Sequence, residues 1–207
     1  MMPTLTPVVK NLIIINVLVF VCMYFLPMGK LLPHFELYFF LDKPDFHPYQ
    51  LVTHMFAHSG PNLSHVLFNM LSLFFLGPYV ERYVGNKDFL ILYLVSGFGA
   101  MLAHVAIWYF EYLSTGQTNF IPVIGASGAV YGILISFAVL FPNVKMMLMF
   151  IPVPIKARYL AIGLIAYDLI SGLGGFDTGI AHFAHLGGAV TGALLTFFWL
   201  KQKYRRP

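Results

Sequence analysis

GASGAVYG, residues 125–132, opens an apolar segment that continues to residue 141. Glycine occupies both ends of this stretch and its fourth position, and only Ser127 and Tyr131 carry a hydroxyl group. Small residues at intervals of four let two helix backbones approach closely inside a membrane. The stretch therefore predicts a tightly packed membrane helix with a serine in its first turn.

The composition of the whole chain is that of an integral membrane protein. Of its 207 residues, 59% are hydrophobic and 10% are charged, whereas a soluble domain carries about 25% charged residues. The single cysteine, Cys22, lies within the first apolar run, which excludes an intrachain disulfide. The net charge of +4 comes from cations clustered in short loops and in the C-terminal tail. This pattern indicates membrane topology, and we expect no nucleic-acid partner.

Apolar runs of bilayer length predict an all-α membrane protein, a bundle of six transmembrane helices. The predicted spans cover residues 8–27, 63–80, 88–110, 125–141, 157–173 and 180–200. A long first loop, residues 28–62, follows the first span, which lacks the cleavage site of a secretory signal. No composition shift divides the chain, so residues 1–207 are predicted to form a single domain.

The distribution of lysine and arginine predicts cytoplasmic termini. Two cations, Lys30 and Lys43, then fall outside, and ten fall inside: Lys10, Arg82, Lys87, Lys145, Lys156, Arg158, Lys201, Lys203, Arg205 and Arg206. An excess of Lys and Arg on the cytoplasmic side is the usual rule for membrane proteins. Because no transit-peptide composition is present, we expect a multi-pass protein of the plasma (inner) membrane of a bacterium.

This orientation brings polar side chains from three spans to one depth near the outer face. Spans two, four and six all enter the membrane from that side. Their first turns contain His65 and Asn69, Ser127 and Tyr131, and His182 and His185. Polar groups at membrane depth are costly, so their coincidence in one layer indicates a functional site.

Ser127 and His185 are the candidate nucleophile and base of that site. Gly125 and Gly128 leave the backbone around the serine open to a substrate carbonyl. The unpaired N–H groups and the dipole of the first helical turn favour an oxyanion there. A neutral imidazole near pH 7 is suited to accept a hydroxyl proton. Considered singly, a serine bonded within its own helix and a packing histidine are the alternatives.

Two pairs of glycines predict that these two side chains meet. Gly128 and Gly132 on span four, and Gly188 and Gly192 on span six, each form a small-residue face. Two such faces let the helices pack with close backbones, which brings the serine towards the histidine.

Four further side chains complete the candidate site. His65 and Asn69 share one face of span two as residues i and i+4, either as oxyanion donors or as a structural pair between helices. Tyr131, one turn after the serine, is placed to stack on the base. Apart from Asp88 at the first position of span three, Asp168 is the only acidic residue within a predicted span, and a structural or gate-side hydrogen bond is favoured for Asp168 over catalysis. No acidic residue stands out as a third member of a catalytic triad.

The sequence predicts neither a metal nor a cofactor. His54 with His58, and His182 with His185, have the spacing of metal ligands. However, no carboxylate or thiolate lies beside them, and the His-Glu-x-x-His pattern is absent.

Taken together, these motifs resemble those of the rhomboid intramembrane serine proteases. They are GASGAVYG (125–132), AHLGG (184–188), HVLFN (65–69) and ERYVG (81–85). The resemblance covers nearly the whole chain and includes the six-span layout.

The resemblance implies a role for each candidate residue. It implies a catalytic dyad of Ser127 and His185, with Tyr131 packed against the base. It implies an oxyanion hole formed by His65, Asn69 and the amide of the serine.

The resemblance also bears on span six and the first loop. It implies that Gly188 makes a close helix contact and that His182 is a neighbour of the base. Where the family usually has a Trp-Arg pair in the first loop, this chain has Tyr49-Gln50.

The function that follows is hydrolysis of a peptide bond in the transmembrane segment of another protein, near the outer face. The expected partners are transmembrane substrates and the lipid bilayer, with small residues before the cut. Span five, with Asp168 and the glycines at its end (Gly172, Gly174 and Gly175), and the loop of residues 174–179 are candidates for a moving gate. The alternatives are a non-catalytic pseudoprotease-type binder of transmembrane helices and a transporter, which needs a charged pathway that only Asp168 suggests.

Overall fold

The computed structural model describes residues 4–25, 28–41, 45–58, 63–117, 120, 122–148, 151–175 and 180–205. Within these ranges the elements are α1 (Pro7–Phe25), α2 (Met28–Phe35), α3 (Gln50–Thr53) with a 3-10 turn (His54–Phe56), α4 (Leu63–Val84), α5 (Asn86–Thr115), α6 (Ser127–Leu140), β1 (Lys145–Leu148), β2 (Ile151–Lys156), α7 (Ala157–Leu173) and α8 (His182–Arg205). Lys43, Arg206 and residues 176–179 of the candidate gate lie outside the described residues.

Four of the described helices are long and apolar enough to cross a membrane: α1, α4, α5 and α8. α6 is apolar but has 14 residues, and α7 has 17. At 1.5 Å per residue these two are about 21 and 26 Å long, shorter than a hydrocarbon core of about 30 Å. The largely helical fold is that of an integral multi-pass membrane protein, and the number of six spans stays a prediction.

The connection predicted at residues 142–156 contains a β-hairpin, which an all-helical prediction omits. Lys145 pairs with Lys156 and Met146 pairs with Ile155, with an irregular register towards Leu148. The Ala157 amide then donates to the Val144 carbonyl at 2.8 Å. Such pairing satisfies backbone groups between two membrane helices that would otherwise need water.

α6 lies at the centre of the helical bundle. It packs against α4, α5, α7 and α8, and ten of its 14 residues are buried. A helix enclosed by protein in this way need not span the full bilayer. Its first turn therefore lies inside the bundle, where α8 also begins.

The approach of α6 to α8 requires glycine on α8, where an added Cβ atom would meet the backbone of Gly128 or Gly132. A Cβ atom on Gly188 would lie 2.0 Å from the Gly128 carbonyl oxygen, and one on Gly192 would lie 2.5 Å from the Gly132 Cα. Any larger residue would push the two backbones apart. The small-residue packing predicted between these two segments is confirmed.

Glu81, in the motif ERYVG, holds α1 against α4. Its buried carboxylate accepts hydrogen bonds from the Thr6 hydroxyl at 2.5 Å and from the Val8 and Val9 amides at 3.0 and 2.9 Å. These amides belong to the first turn of α1, where they have no partner within the helix. The carboxylate thus caps α1 from a neighbouring helix.

Candidate active site

Ser127 is the first residue of α6, and the segment before it is held by the first loop. Leu37 and Val123 exchange backbone hydrogen bonds of 2.8 and 3.0 Å, and the Gly125 amide donates to the His54 carbonyl at 2.9 Å. The position of the serine therefore depends on the first loop as well as on α6.

Gly125 allows an imidazole to lie beside the serine. Its φ is +130°, a backbone conformation that side chains rarely adopt. A Cβ atom there would lie 2.8 Å from two atoms of the His65 ring and 3.8 Å from the Ser127 Oγ. The ring of His65 and the serine hydroxyl thus both lie close to Gly125.

The side chains of Ser127 and His185 are hydrogen-bonded. The distance from the serine Oγ to the His185 Nε2 is 2.9 Å, and His185 is 9% exposed. The Tyr131 ring stacks on the imidazole, with centroids 4.2 Å apart and planes inclined by 13°. Such an arrangement is able to transfer the hydroxyl proton to the ring nitrogen.

Asp168 joins this group from α7. Its Oδ1 lies 3.1 Å from the His185 Nδ1 and 2.7 Å from the His182 Nδ1, and the residue is fully buried. The expectation that no acidic residue completes a triad-like arrangement is therefore wrong in geometric terms. The favoured hydrogen-bonding role for Asp168 is present, but its partners include the candidate base.

Asn69 is one turn after His65 on α4, and both hydrogens of its side-chain amide take part in hydrogen bonds. Its Nδ2 donates to the His65 carbonyl at 3.0 Å and to the His58 Nε2 at 3.2 Å. Burial, reinforced by repulsion from His65, lowers the pKa of His58 to about 3, so this ring is neutral and accepts the hydrogen bond. Sequence reasoning considered His58 only as a metal ligand and missed this contact.

Gln50, of the Tyr49-Gln50 pair, organises the first loop. Its fully buried amide donates to the Pro33 and Asp45 carbonyls at 2.9 and 3.1 Å and accepts from the His47 amide at 2.8 Å. The backbone carbonyl oxygen of Gln50 is 2.8 Å from the His54 Nδ1. Tyr49, in contrast, is largely exposed. The contacts that hold this loop thus come mainly from the glutamine.

The described part of the chain contains no group of three or more His, Cys, Asp or Glu side chains placed to hold a metal ion. Three of the four histidines considered as ligands have their Nδ1 atoms engaged elsewhere: that of His54 with Gln50, and those of His182 and His185 with Asp168.

The fold and the site can be compared with known proteins. The family described as Rhomboid domain matches residues 45–202. Rhomboid protease AarA of Providencia stuartii is 35% identical over 70% of this chain and 54% of its own length. Rhomboid protein 1, mitochondrial, of Saccharomyces cerevisiae is 31% identical over 72% of this chain and 43% of its own length. Putative rhomboid protease YdcA of Bacillus subtilis is 30% identical over 76% of this chain and 70% of its own length.

The chain spans about half the length of the first two of these relatives, 54% and 43%. The matched range nevertheless contains α4 to α7, most of α8 and every candidate site residue. On this match, the chain belongs to the rhomboid family.

Proposed function

We propose that this protein is an intramembrane serine endopeptidase that cleaves the transmembrane segments of other membrane proteins near the outer face. The observation that carries the proposal is the 2.9 Å hydrogen bond between the Ser127 Oγ and the His185 Nε2. Relatives named as rhomboid proteases support it.

In the proposed reaction, His185 Nε2 takes the hydroxyl proton while the Ser127 Oγ attacks the substrate carbonyl carbon. The imidazolium gives that proton to the leaving amine as the peptide bond breaks, which leaves an acyl ester on the serine. A water molecule then attacks the ester, and its proton passes through the imidazole back to the serine oxygen.

The oxyanion of each step is stabilised by the Ser127 amide, the His65 side chain and the Asn69 side chain. The serine amide lies in the first turn of α6, so it has no partner within the helix. Asn69 must release one of its two present acceptors to take part. Loss of one oxyanion donor costs about 10²- to 10³-fold in rate.

The same proposal includes the topology. All six predicted segments, including α6 and α7, act as spans of one domain in the plasma membrane, with cytoplasmic termini and a site that faces outwards. A Cys22→Ser background with single cysteines at the two ends of α5 tests it. In intact cells, an impermeant maleimide should label the Ser114→Cys variant and should not label the Lys87→Cys variant. The reverse labelling pattern would show that the protein has the opposite orientation.

A substrate helix must unwind before its carbonyl can reach the serine, because helical carbonyls are hydrogen-bonded within the chain. Helix-breaking residues near the cut therefore favour cleavage. Small residues before the cut are the preference we expect from the family.

The decisive experiment is cleavage of a fluorogenic transmembrane peptide by detergent-purified protein. Ser127→Ala and His185→Ala should each reduce kcat by at least about 10³-fold. Ser114→Ala, at an exposed serine on α5, is the matched control and should retain full activity. Cleavage that survives Ser127→Ala would contradict the proposed chemistry.

One observation favours the alternative, a pseudoprotease-type binder of transmembrane helices: both Asn69 N–H groups are engaged. A fluorophosphonate probe separates the two functions. Labelling that is lost in Ser127→Ala supports the enzyme, whereas peptide binding without labelling or cleavage supports the binder.

A further inference from the structure

Asp168 has a position that the Ser127–His185 pair alone does not explain. It lies near the end of α7, is fully buried, and its Oδ1 contacts two imidazole Nδ1 atoms at 2.7 and 3.1 Å. A buried carboxylate is costly unless hydrogen bonds compensate for the loss of water. Here the candidate base and its neighbour one turn earlier on α8 are compensating donors, and the Tyr131 side chain also interacts with the carboxylate.

These contacts determine where His185 carries its proton. A carboxylate oxygen only accepts hydrogen bonds, so the His185 Nδ1 must be the protonated nitrogen. The Nε2 then has a free lone pair and accepts from the Ser127 Oγ at 2.9 Å. This is the tautomer that proton transfer from the serine requires.

We propose that Asp168 is a positioning residue that holds His185 in its Nδ1-protonated tautomer and stabilises the imidazolium formed when Ser127 gives up its proton. His182 supplies the second donor that fixes the carboxylate. The inference rests on the proposed function, since it concerns the same proton transfer, and it adds a third group to that chemistry.

The packing of α7 against α8 makes the arrangement possible. A Cβ atom on Gly172 would lie 3.1 Å from the Phe183 ring and 3.3 Å from the His182 Cβ. A bulky residue there would move the end of α7 away from α8. Because Asp168 is one turn earlier on the same helix, its distance to the imidazoles would increase.

Among the described residues, four other titratable groups contact His185, share its carboxylate or interact with it electrostatically. His65 of α4 and His104 of α5 interact with it electrostatically, Tyr131 of α6 stacks on it, and His182 of α8 shares its carboxylate. None of these is a carboxylate. Within the described residues, Asp168 is therefore the negative charge that faces the imidazolium.

The tautomer is the direct test and needs only the wild-type protein. NMR of protein labelled with ¹⁵N-histidine, with His185→Gln used to assign the signal, should show His185 protonated on Nδ1 and unprotonated on Nε2. Asp168→Asn should change the tautomer or the Nδ1 hydrogen bond. A wild-type signal from an Nε2-protonated ring would overturn the inference even if no Asp168 variant folds.

Kinetics supply the second test. Asp168→Asn should lower kcat on the fluorogenic peptide by about 10²- to 10⁴-fold, with KM changed less than about threefold because no substrate contact is lost. Asp168→Glu should recover part of that loss, and Gly172→Leu should lower kcat with the carboxylate intact. Asp88→Asn, at an acid on the first turn of α5, is the matched control and should behave as wild type.

Failure of this inference and failure of the proposed function give different results. If Ser127→Ala and His185→Ala are inactive while Asp168→Asn keeps wild-type kcat and tautomer, only the role of Asp168 is overturned. If Ser127→Ala remains active, the serine mechanism itself is wrong. A loss of kcat without any change in the His185 signal would reduce Asp168 to a structural contact.

Discussion

The ring of Tyr131 lies nearly parallel to the ring of His185, with centroids 4.2 Å apart. Tyr131 is one turn after Ser127 on α6, so one helix supplies both the candidate nucleophile and the surface on which the candidate base rests. The serine hydroxyl is hydrogen-bonded to the edge of the imidazole, and the tyrosine ring covers one face of the imidazole. Two residues of a helix on which the base does not lie therefore contribute to its orientation, together with Asp168 of α7.

Removing the aromatic ring of Tyr131 should impair catalysis more than removing its hydroxyl group. Aromatic stacking of this kind contributes about 0.5–1.5 kcal/mol, and it restricts the imidazole to the plane that faces the serine. We expect Tyr131→Leu to lower kcat/KM by about tenfold or more, and Tyr131→Phe to stay within about threefold. Tyr79→Leu, at a ring that packs on Phe137 instead of the site, is the control. Equal losses at both tyrosines would show a general packing defect.

The pairing of Ser127 with His185 was predictable because two glycine faces at intervals of four leave few ways for α6 and α8 to pack. The contact of Asp168 with His185 was not, because it depends on the rotation and tilt of α7 against α8, which spacing along the chain does not encode. The hydrogen bonds of Asn69 were equally out of reach. Helical spacing puts Asn69 on the face of His65, whose carbonyl accepts one of its N–H groups, but the other N–H group donates to His58 from a loop whose path has no periodic pattern.

The glycine before the serine offers a test that separates backbone strain from a steric clash. Gly125 and Gly116 both have positive φ, +130° and +70°, but only Gly125 has a neighbour within reach of a Cβ atom. Alanine at either position should cost about 1 kcal/mol or more in the free energy of unfolding. Only Gly125→Ala should also displace the His65 ring and lower kcat, by about tenfold or more. Comparable kcat values for the two variants would show that His65 does not act at the serine.

Loss of the Gln50 amide should loosen the first loop. Three part-buried hydrogen bonds of its side chain would disappear in Gln50→Ala, and the backbone groups that they join would be left to water. A hydrogen bond of this kind contributes about 0.5–1.5 kcal/mol net. We expect a lower melting temperature and faster hydrogen exchange at the Gly125 amide, which the same loop holds through the His54 carbonyl. Gln117→Ala, at an exposed glutamine, should change neither, and an unchanged exchange rate in Gln50→Ala would separate the loop from the site.

Stability should fall as the pH drops below the ordinary histidine pKa. Burial lowers the pKa of His54 to about 4 and that of His58 to about 3. The pKa of a histidine in the unfolded chain is about 6.5. Between these pKa values the unfolded chain binds more protons than the folded chain. The free energy of unfolding is therefore highest above about pH 6.5 and declines as the pH falls towards about 4. Melting temperatures measured from pH 7.5 to 4.5 should show this decline, and His58→Gln should make it shallower. His34→Gln, at an exposed histidine, should leave the slope unchanged, and a wild-type slope in His58→Gln would contradict the assignment.

A methyl group added at the crossing of α6 and α8 should be destabilising, whereas one added at Gly163 of α7 should be harmless. A Cβ atom on Gly188 would lie 2.0 Å from the Gly128 carbonyl oxygen, while one on Gly163 of α7 meets nothing within 4 Å. Gly188→Ala must separate the backbones, at a cost of about 1–3 kcal/mol in the free energy of unfolding. Because the same crossing sets the distance from Ser127 to His185, kcat should fall by about tenfold or more. Gly163→Ala should stabilise α7 by up to about 1 kcal/mol, since alanine has the higher helix propensity. If Gly188→Ala melts at a lower temperature but keeps full activity, the spacing of the two helices would not be what aligns the serine with the histidine.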